Sequence, residues 1–409
     1  METRTLSGFG AMPAPTWHHL HMNDASVEVD ASLKPARSIV IETDAGAQLG
    51  FDEALAQAQA AWDAAHDGYE YVGNVADEQA ERLGGTALSA YQKRVDTVEG
   101  QGSLAAAFDM GLAGEATAYL RDMAGAAHVV SVADGQSAEL AVSLEAMDGA
   151  ANVAALDIVA GAASELAVRI LLDSPQPGTG LTGTTIRVFA GAGAHVQITR
   201  VQTLDDTWTD LDDTGLFLAD GATIDINHTV LGAGKTFTGL AGDLRGDGAS
   251  ANVVTRYLGH GEQQLDFNYV LRHHGRKTTC DLYANGVLAG SSSKCLRGTI
   301  DLIRGAKGAE GKETDTVLLV DEGVHNKTVP TILCNEDDVM GNHGATIGHI
   351  RAEQLFYLAS RGLSQQAAED MFISAALEEA LIEAPDEQTR TAVTRLAGTL
   401  VDDFEEVCA

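Results

Sequence analysis

An internal repeat between residues 135 and 254 constrains the fold of this chain more than any other feature of its sequence. Each unit begins with a glycine and continues as a β-prone run in which small or apolar residues alternate with polar ones. The glycines stand at positions 135, 161, 191, 221 and 248, so they are 26, 30, 30 and 27 residues apart. A unit of this size offers one apolar strand face that it cannot bury alone. Stacking successive units into a solenoid buries that face.

Glycines farther along the chain indicate how many strands each coil holds. They recur at positions 261, 275, 290 and 305, at about half the earlier interval, and this spacing is consistent with two strands and two turns per coil. The sequence therefore predicts a mainly β protein built as a β-solenoid, with a β-sandwich as the competing architecture. Because bare strand edges invite association, the open ends of such a solenoid are expected to pair or to be capped.

Mixed and helical patterns flank the repeat. We predict an N-terminal mixed and helical region over residues 1–128, a β-helix core over 129–351 and a C-terminal helical domain over 352–409. The predicted N-terminal elements are strands at 27–29 and 38–41 and helices at 51–67, 76–98 and 104–123. In the C-terminal region, Gly362 ends one helix and Ser364 caps the next. An apolar stripe on the last helix predicts intramolecular core, through Val393, Leu396, Leu400, Phe404 and Val407.

Composition narrows the classes of function. The formal net charge is −33, from 26 Lys and Arg against 59 Asp and Glu, which argues against nucleic acid or an anionic membrane surface as a partner. No segment is apolar over the ~18 residues that a membrane span needs, and the N-terminus lacks a basic region followed by an apolar stretch. We therefore expect a cytoplasmic protein. The four cysteines are scattered and form no C-x-x-C pair, so the sequence predicts neither a disulfide framework nor a self-contained zinc or cluster site.

Two short motifs resemble binding sites without meeting their requirements. The histidines of the segment 17–21, Trp-His-His-Leu-His, have no cysteine or carboxylate at a spacing that would complete a metal site. The segment 232–236, Gly-Ala-Gly-Lys-Thr, resembles the end of a phosphate-binding loop, but Thr229 replaces the glycine that this motif requires five residues before Gly234. We interpret the first segment as exposed polar residues and the second as a solenoid turn.

The stretch 329–363 joins the predicted solenoid to the C-terminal helices. A β-prone run ends in an acidic cluster at 336–338. The Gly-Asn-His-Gly segment 341–344 that follows has the composition of a tight turn, which would expose His343. From residue 352 onwards the spacing of the apolar residues is helical.

The same stretch resembles a known family. Its Asp-Asp-Val acidic turn, its Asn-His-Gly-Ala-Thr-Ile-Gly segment and its Glu-Gln-Leu-Phe-Tyr-Leu-x-Ser-Arg-Gly-Leu helix closely resemble the SufB/SufD family, the scaffold subunits of the Suf iron–sulfur cluster assembly machine. The resemblance continues backward through 295–298, 305–308 and the region of His274, and 12–17 looks like the family's N-terminal peptide. It implies a right-handed parallel β-helix whose end is capped by a second family member.

The resemblance also implies where a cluster would bind. His343 matches the histidine that SufD-type subunits place near their interface with SufB, and a neutral imidazole is a suitable ligand for iron. The alternative is a structural turn histidine. Thr314 stands where SufB-type members carry a cysteine, which favours a SufD-like role, and Gly341 replaces a cysteine that SufD-type sequences often carry. Cys295 and Cys334 are candidates for secondary thiol ligands.

In this family the C-terminal helical domain is where the ABC-type ATPase SufC docks. The residues predicted to take part are Phe356, Tyr357, Arg361, Gly362, Met371 and Phe372. We therefore predict a non-catalytic SufD-like scaffold of a SufBCD complex, which pairs with SufB and binds SufC. It would hold no tightly bound cofactor, only a transient iron–sulfur cluster or iron at the SufB–SufD interface. Two alternatives stay open: a structural homodimer without a cluster, and a β-solenoid carbohydrate-active enzyme. The enzyme would need paired carboxylates on one face, which the neighbours Asp337 and Asp338 do not offer.

Overall fold

Two parallel β-sheets form most of the computed structural model of this chain. The structure describes residues 2–14, 22–36, 39–65, 108–401 and Phe404. The predicted helix at 76–98 and the histidine-rich segment 17–21 lie outside these residues. Within the described ranges, we find no helix that is long and apolar enough to cross a membrane.

The elements follow one another in three groups. The N-terminal elements are β1 (Thr3–Phe9), β2 (Ala25–Asp30), β3 (Lys34–Pro35), β4 (Ile39–Thr43), α1 (Phe51–Ala65) and α2 (Gly114–Ala124). The solenoid strands are β5 (His128–Val132), β6 (Ser137–Glu145), β7 (Ala150–Ala160), β8 (Glu165–Asp173), β9 (Gly180–Ala190), β10 (His195–Thr203), β11 (Trp208–Leu218), β12 (Thr223–Val230), β13 (Lys235–Leu244), β14 (Ser250–Gly259), β15 (Gln264–His273), β16 (Thr279–Leu288), β17 (Ser293–Leu302), β18 (Ala309–Leu319), β19 (His325–Cys334) and β20 (Val339–His349). The C-terminal helices are α3 (Ala352–Ser360), α4 (Gln365–Ile382) and α5 (Glu387–Leu400).

Successive strands of the solenoid lie in opposite sheets. The even sheet has the order β20-β18-β16-β14-β12-β10-β8-β6-β4, and the odd sheet has the order β19-β17-β15-β13-β11-β9-β7-β3. The coils therefore stack in chain order, with parallel pairing from β6 to β20 in the even sheet. The strand β4 pairs antiparallel with β6 at the N-terminal end. The predicted parallel solenoid with two strands per coil is confirmed, and the short strands predicted at 27–29 and 38–41 correspond to β2 and β4.

Inward-facing side chains of the even sheet form continuous columns, because neighbouring strands pair in register. One column, which we call the aliphatic column, consists of Leu140, Val168, Ile198, Ile226, Val253 and Leu282. Each of these side chains is at most 3% exposed, and burying one stabilises the fold by about 1.5–3 kcal/mol. Alternate residues of each strand face the interior. The sequence repeat therefore arises because each unit contributes one side chain to each of these columns.

The turn glycines of the repeat meet two different requirements. Gly221 has a φ of +63°, a left-handed conformation that residues with a Cβ rarely adopt. Gly275 instead lies where a Cβ would stand 2.0 Å from the carbonyl oxygen of Gly246 in the preceding coil. The Gly-Ala-Gly-Lys-Thr segment also contains a glycine that is needed for close approach to the preceding coil, because a Cβ on Gly232 would stand 1.9 Å from the carbonyl oxygen of Leu204. It is a solenoid turn between β12 and β13, as the sequence indicated.

The C-terminal helices α4 and α5 pack on the outer face of the even sheet. Leu377 of α4 and Val393 and Leu396 of α5 form one buried cluster with Leu231 and Leu258, which belong to or directly follow strands of that sheet. Burial of this apolar stripe holds the helices against the solenoid wall. The prediction that the stripe on the last helix is intramolecular core is therefore confirmed for Val393 and Leu396, and Leu400 packs half-buried against the same cluster.

The ends of the C-terminal helices agree with the predicted caps. Gly362 has a φ of +93° just after α3, and Ser364 Oγ accepts the backbone N–H of Ala367 at 3.1 Å. The last helix is shorter than its apolar stripe suggested, because α5 ends at Leu400 and Phe404 lies beyond it, half-buried against the same cluster. The rest of the stripe lies outside the described residues.

Two predictions about local structure are wrong. The segment 341–344 is not a tight turn, because it lies in the middle of β20, which pairs with β18 along Val339–His349. Backbone hydrogen bonds along that ladder outweigh the local turn preference of glycine and asparagine. Of the helix predicted at 104–123, residues 104–107 lie outside the described residues, 108–113 are not helical, and the helix runs from Gly114 to Ala124. The chain before it passes so close to β13 that a Cβ on Gly111 would stand 2.0 Å from the backbone of Gly239.

Candidate functional site

The last coil of the solenoid is open within the part of the chain that the structure describes. The strand β20 forms one edge of the even sheet, and β19 forms one edge of the odd sheet. Nearly every residue of β20 is exposed, whereas residues of the preceding strand β18 alternate between buried and exposed or half-buried. Met340 and Ile347 are 53% and 54% exposed at this end. An exposed strand edge that carries apolar side chains is a surface on which another protein can pair.

His343 lies in the middle of this edge strand and faces the interior of the solenoid. It pairs in register with Glu313 of β18, and paired residues of neighbouring strands project on the same side of a sheet. Glu313 is only 3% exposed, so the His343 imidazole points towards the mouth of the space between the sheets. His343 also lines a cavity of about 630 Å³ together with Asn326, Thr328 and Ile347.

Charged and polar side chains lie in the interior just behind His343. Lys294 Nζ is 2.6 Å from Asp315 Oδ2, and the same oxygen accepts a hydrogen bond of 2.6 Å from Thr328 Oγ1. Both carboxylate oxygens of Glu313 are buried and have no hydrogen-bond partner among the described residues. Burial and, secondly, the charge of Asp315 raise the pKa of Glu313 to about 7. We call Lys294, Glu313, Asp315 and Thr328 the mouth cluster.

Sequence reasoning missed the mouth cluster. Glu313 and Asp315 stand two residues apart, the spacing that places both side chains on one face of a strand. That spacing was visible in the sequence, but Glu310 and Lys312 of the same strand share the opposite face and are exposed. Which of the two faces is buried became clear only from the pairing of β18 with its neighbours.

The candidate thiols Cys295 and Cys334 are placed differently from His343. Cys295 pairs with Asp266 and is half-buried on the outer face of the odd sheet, where burial and the Asp266 charge raise the pKa of its thiol. The Nη1 of Arg297 lies 3.6 Å from the Cys295 sulfur. Cys334 is exposed at the end of β19, where its Sγ lies 3.2 Å from a backbone carbonyl oxygen. The cavities that His343 and Cys295 line are different ones.

The described part of the chain does not by itself form a complete metal site. Within it, no three side chains of histidine, cysteine, aspartate or glutamate are arranged to hold a metal ion. Iron has four or more ligand positions in its common protein sites. An ion or cluster at His343 would therefore need ligands from outside the described residues, and the strand edge leaves room for them to approach.

The residues predicted to receive an ATPase lie on and between α3 and α4. Phe356, Tyr357 and Met371 are 75%, 56% and 51% exposed, and we call them the helix patch. The guanidinium carbon of Arg361 lies 5.3 Å from the centre of the Tyr357 ring, and Arg361 Nη2 donates to the Tyr357 hydroxyl at 3.1 Å. Phe372 is half-buried and lines a cavity of about 330 Å³ between α4 and the even sheet.

Comparison with known proteins places the chain in a family. A family model described as the SUF system FeS cluster assembly, SufBD core domain matches residues 142–376. The iron–sulfur cluster assembly protein SufD of Bacillus subtilis is 31% identical over 152 residues, which cover 37% of this chain and 35% of that protein. SufD of Escherichia coli is 27% identical over 203 residues, which cover 49% of this chain and 48% of that protein. A chloroplastic SufBD family protein of Arabidopsis thaliana is 26% identical over 220 residues, which cover 51% of this chain and 39% of that protein.

The matched segment is large and includes the candidate site. It covers more than half of the chain, from β6 into α4, and so contains the edge strands, His343 and the helix patch. The chain spans only about a third to a half of the length of these relatives. The family match, the SufD relatives and the parallel β-solenoid agree with the resemblance seen in the sequence. The chain therefore belongs to the SufB/SufD family of SUF-system iron–sulfur cluster assembly proteins, as a SufD-like member.

Proposed function

We propose that this chain is a scaffold subunit that pairs with a SufB-like subunit and binds a SufC-type ATPase during iron–sulfur cluster assembly. The observation that carries the proposal is the open last coil, which exposes His343 in the middle of an edge strand. In this role the chain catalyses no reaction itself. The iron or cluster is cargo, which the chain holds transiently at the junction with its partner.

Pairing through the open coil would satisfy the exposed strand edges. On their outer sides, β19 and β20 have no neighbouring strand within the described ranges, so their outward backbone N–H and C=O groups are open to another chain. A partner there would bury Met340 and Ile347, which are now exposed. It would also bring its own side chains to His343 and supply further ligands, which the described part of this chain does not provide there.

Binding of an ATPase at the helix patch would couple nucleotide-driven movement to the open coil. Only residues 350 and 351 separate the end of β20 from the start of α3. A displacement of α3 would therefore act directly on the edge strand that carries His343. Closure of two ATPase subunits, one bound to each scaffold subunit, would distort the interface between the two scaffolds. It would expose the ligands that this interface covers in the complex, His343 among them.

Replacing His343 with alanine is expected to lower the iron and sulfide content of the assembled complex severalfold, because it removes an imidazole ligand at the interface. The measurement is co-purification of the chain with SufB-like and SufC-like proteins, mass by light scattering, and chemical assay of iron and sulfide after anaerobic reconstitution. His349→Ala is the matched control, since His349 is exposed on the same edge strand.

Each outcome of that experiment has a separate meaning. A complex whose loading falls only with His343→Ala supports both the scaffold role and the ligand. If the complex forms and its iron and sulfide content is unchanged by His343→Ala, the scaffold role stands, and His343 is a structural residue and not a ligand. If the three proteins do not associate, the proposed function is wrong.

Replacing Phe356 and Tyr357 with serine is expected to weaken binding of the SufC-type ATPase by ~30-fold or more, because truncating central aromatic residues of an interface costs roughly 2 kcal/mol or more. Isothermal titration of the ATPase into the chain measures this change. Met147→Ser is the control, since Met147 is 51% exposed in the connection between β6 and β7. Binding of the SufB-like partner should stay the same in all variants; loss of both partners together would instead indicate misfolding.

A structural homodimer without a cluster is the second candidate function. The observation that favours it is the same open edge, which would also suit a second copy of this chain. Light scattering distinguishes the two candidates when the SufB-like protein is added to the purified chain. A homodimer that persists in its presence, and that binds neither iron nor sulfide, would favour the structural role.

A further inference from the structure

Glu313 interrupts the aliphatic column. It pairs in register with Leu282 on one side and with His343 on the other. The six residues that precede it in the column are Leu, Val or Ile, whereas the last two coils place a carboxylic acid and an imidazole there. A carboxylate in a position that packs aliphatic side chains disfavours folding unless something compensates for its burial. The position therefore needs an explanation other than packing.

The neighbours of Glu313 leave its oxygens unused. Its side chain is buried, and neither oxygen has a hydrogen-bond partner in the described part of the chain. Lys294 is held by Asp315 at 2.6 Å, and Thr328 donates to the same aspartate. The side-chain amide of Asn326, which lines the cavity beside His343, is likewise without a partner there. Unpaired polar atoms of Glu313 and Asn326 therefore lie in the interior, directly behind the mouth of the solenoid.

The opposite sheet makes room for the carboxylate. Gly298 of β17 faces Glu313 across the interior, and a Cβ at this glycine would stand 2.3 Å from Glu313 Oε1. Any other residue at position 298 would displace the acid. The absence of a side chain at Gly298 therefore leaves the room that the Glu313 carboxylate occupies, in the coil next to His343.

We propose that Glu313 is a second iron-binding residue of this chain, which together with His343 binds ferrous iron at the mouth of the solenoid. Neighbouring strands lie about 4.8 Å apart, and the two side chains project on the same side of the sheet. One carboxylate oxygen and one imidazole nitrogen can therefore reach the same ion, and both are suitable ligands for iron. The cation also compensates for the buried acid. This inference rests on the proposed function and adds a carboxylate to the ligands of its cargo.

The test uses the full chain in complex with its SufB-like and SufC-like partners. The complex is titrated anaerobically with Co²⁺, whose visible absorption reports its ligands, and separately loaded with Fe²⁺ for iron analysis. Glu313→Gln keeps the shape of the side chain and removes its charge. Glu310→Gln is the matched control, because Glu310 lies on the same strand with its side chain exposed. We expect Glu313→Gln to weaken Co²⁺ binding by ~10-fold or more and to alter the absorption spectrum, and Glu310→Gln to change neither.

His343→Ala separates failure of this inference from failure of the proposed function. If His343→Ala weakens metal binding and Glu313→Gln does not, Glu313 is not a ligand, and the scaffold role stands. If no complex forms, both proposals are wrong. If the complex forms and neither substitution changes metal binding, neither residue is an iron ligand: this inference is wrong and the scaffold role stands. Because glutamine brings no buried charge, Glu313→Gln should unfold at the wild-type temperature or above it, so that weaker metal binding is not a result of unfolding.

Discussion

Replacing Arg200 with methionine is expected to lower the free energy of unfolding by about 3–5 kcal/mol. Arg200 is 1% exposed in the solenoid interior, and its Nη2 donates to the two oxygens of Asp210 at 2.9 and 2.8 Å. A second carboxylate, Asp212, has an oxygen 3.5 Å from Arg200 Nε. Methionine fills much of the same space but leaves two buried carboxylates without their cation. Urea unfolding followed by circular dichroism measures the change.

A surface ion pair provides the control for this prediction. Arg276 pairs with Asp247, and its side chain is 67% exposed, so Arg276→Met should change stability little. Adding Asp210→Asn and Asp212→Asn to Arg200→Met should recover much of the lost stability, because none of these three buried positions then carries a charge. If Arg200→Met costs no more than Arg276→Met, the two buried carboxylates do not depend on the Arg200 guanidinium for compensation of their charge.

The architecture could be predicted from the sequence because its signals are local and periodic. Turn glycines such as Gly221 mark each coil through the conformation that they alone adopt easily, and their spacing gave the number of strands per coil. The ends of the C-terminal helices were predictable for the same reason, since Gly362 and Ser364 act on backbone groups within a few residues. None of these signals depends on distant parts of the chain.

The surroundings of the candidate site could not be predicted because they depend on strand register. The Gly-Asn-His-Gly composition around His343 favours a turn locally, but pairing with a strand 30 residues earlier overrides it, as the register of Glu313 with His343 shows. This register places His343 next to the buried Glu313. In the neighbouring inward-facing column, Asp315 lies in line with Arg200 and His228 of earlier coils. Coil lengths vary between neighbouring units, so the spacing of glycines alone does not determine these columns.

Replacing Asp213 with asparagine is expected to stabilise the protein by about 3 kcal/mol above pH 7 and to have little effect near pH 4. Asp213 is fully buried, where its Oδ1 accepts the backbone N–H of Leu112 at 2.8 Å and its Oδ2 accepts the hydroxyl of Thr117 at 2.5 Å. Burial raises the pKa of Asp213 from 3.8 to about 6. Asparagine can keep both hydrogen bonds, since its oxygen accepts from Leu112 and its amide donates to the Thr117 hydroxyl.

The sign of this pH dependence follows from the raised pKa of Asp213. Below pH 3.8 the carboxyl is protonated in the folded and the unfolded chain, so its titration favours neither. As the pH rises from 3.8 to about 6, the unfolded chain releases the proton first, and the folded state loses stability until it too ionises. Urea unfolding of wild type and Asp213→Asn between pH 4 and pH 8 should therefore give a difference that grows with pH. Thr117→Ala removes the hydroxyl that stabilises the Asp213 carboxylate. When the chain with and without Asp213→Asn is compared in a Thr117→Ala background, the difference in stability should therefore continue to grow to a higher pH. A difference that is constant across this range would show that the buried carboxyl ionises as easily in the folded chain as in the unfolded one.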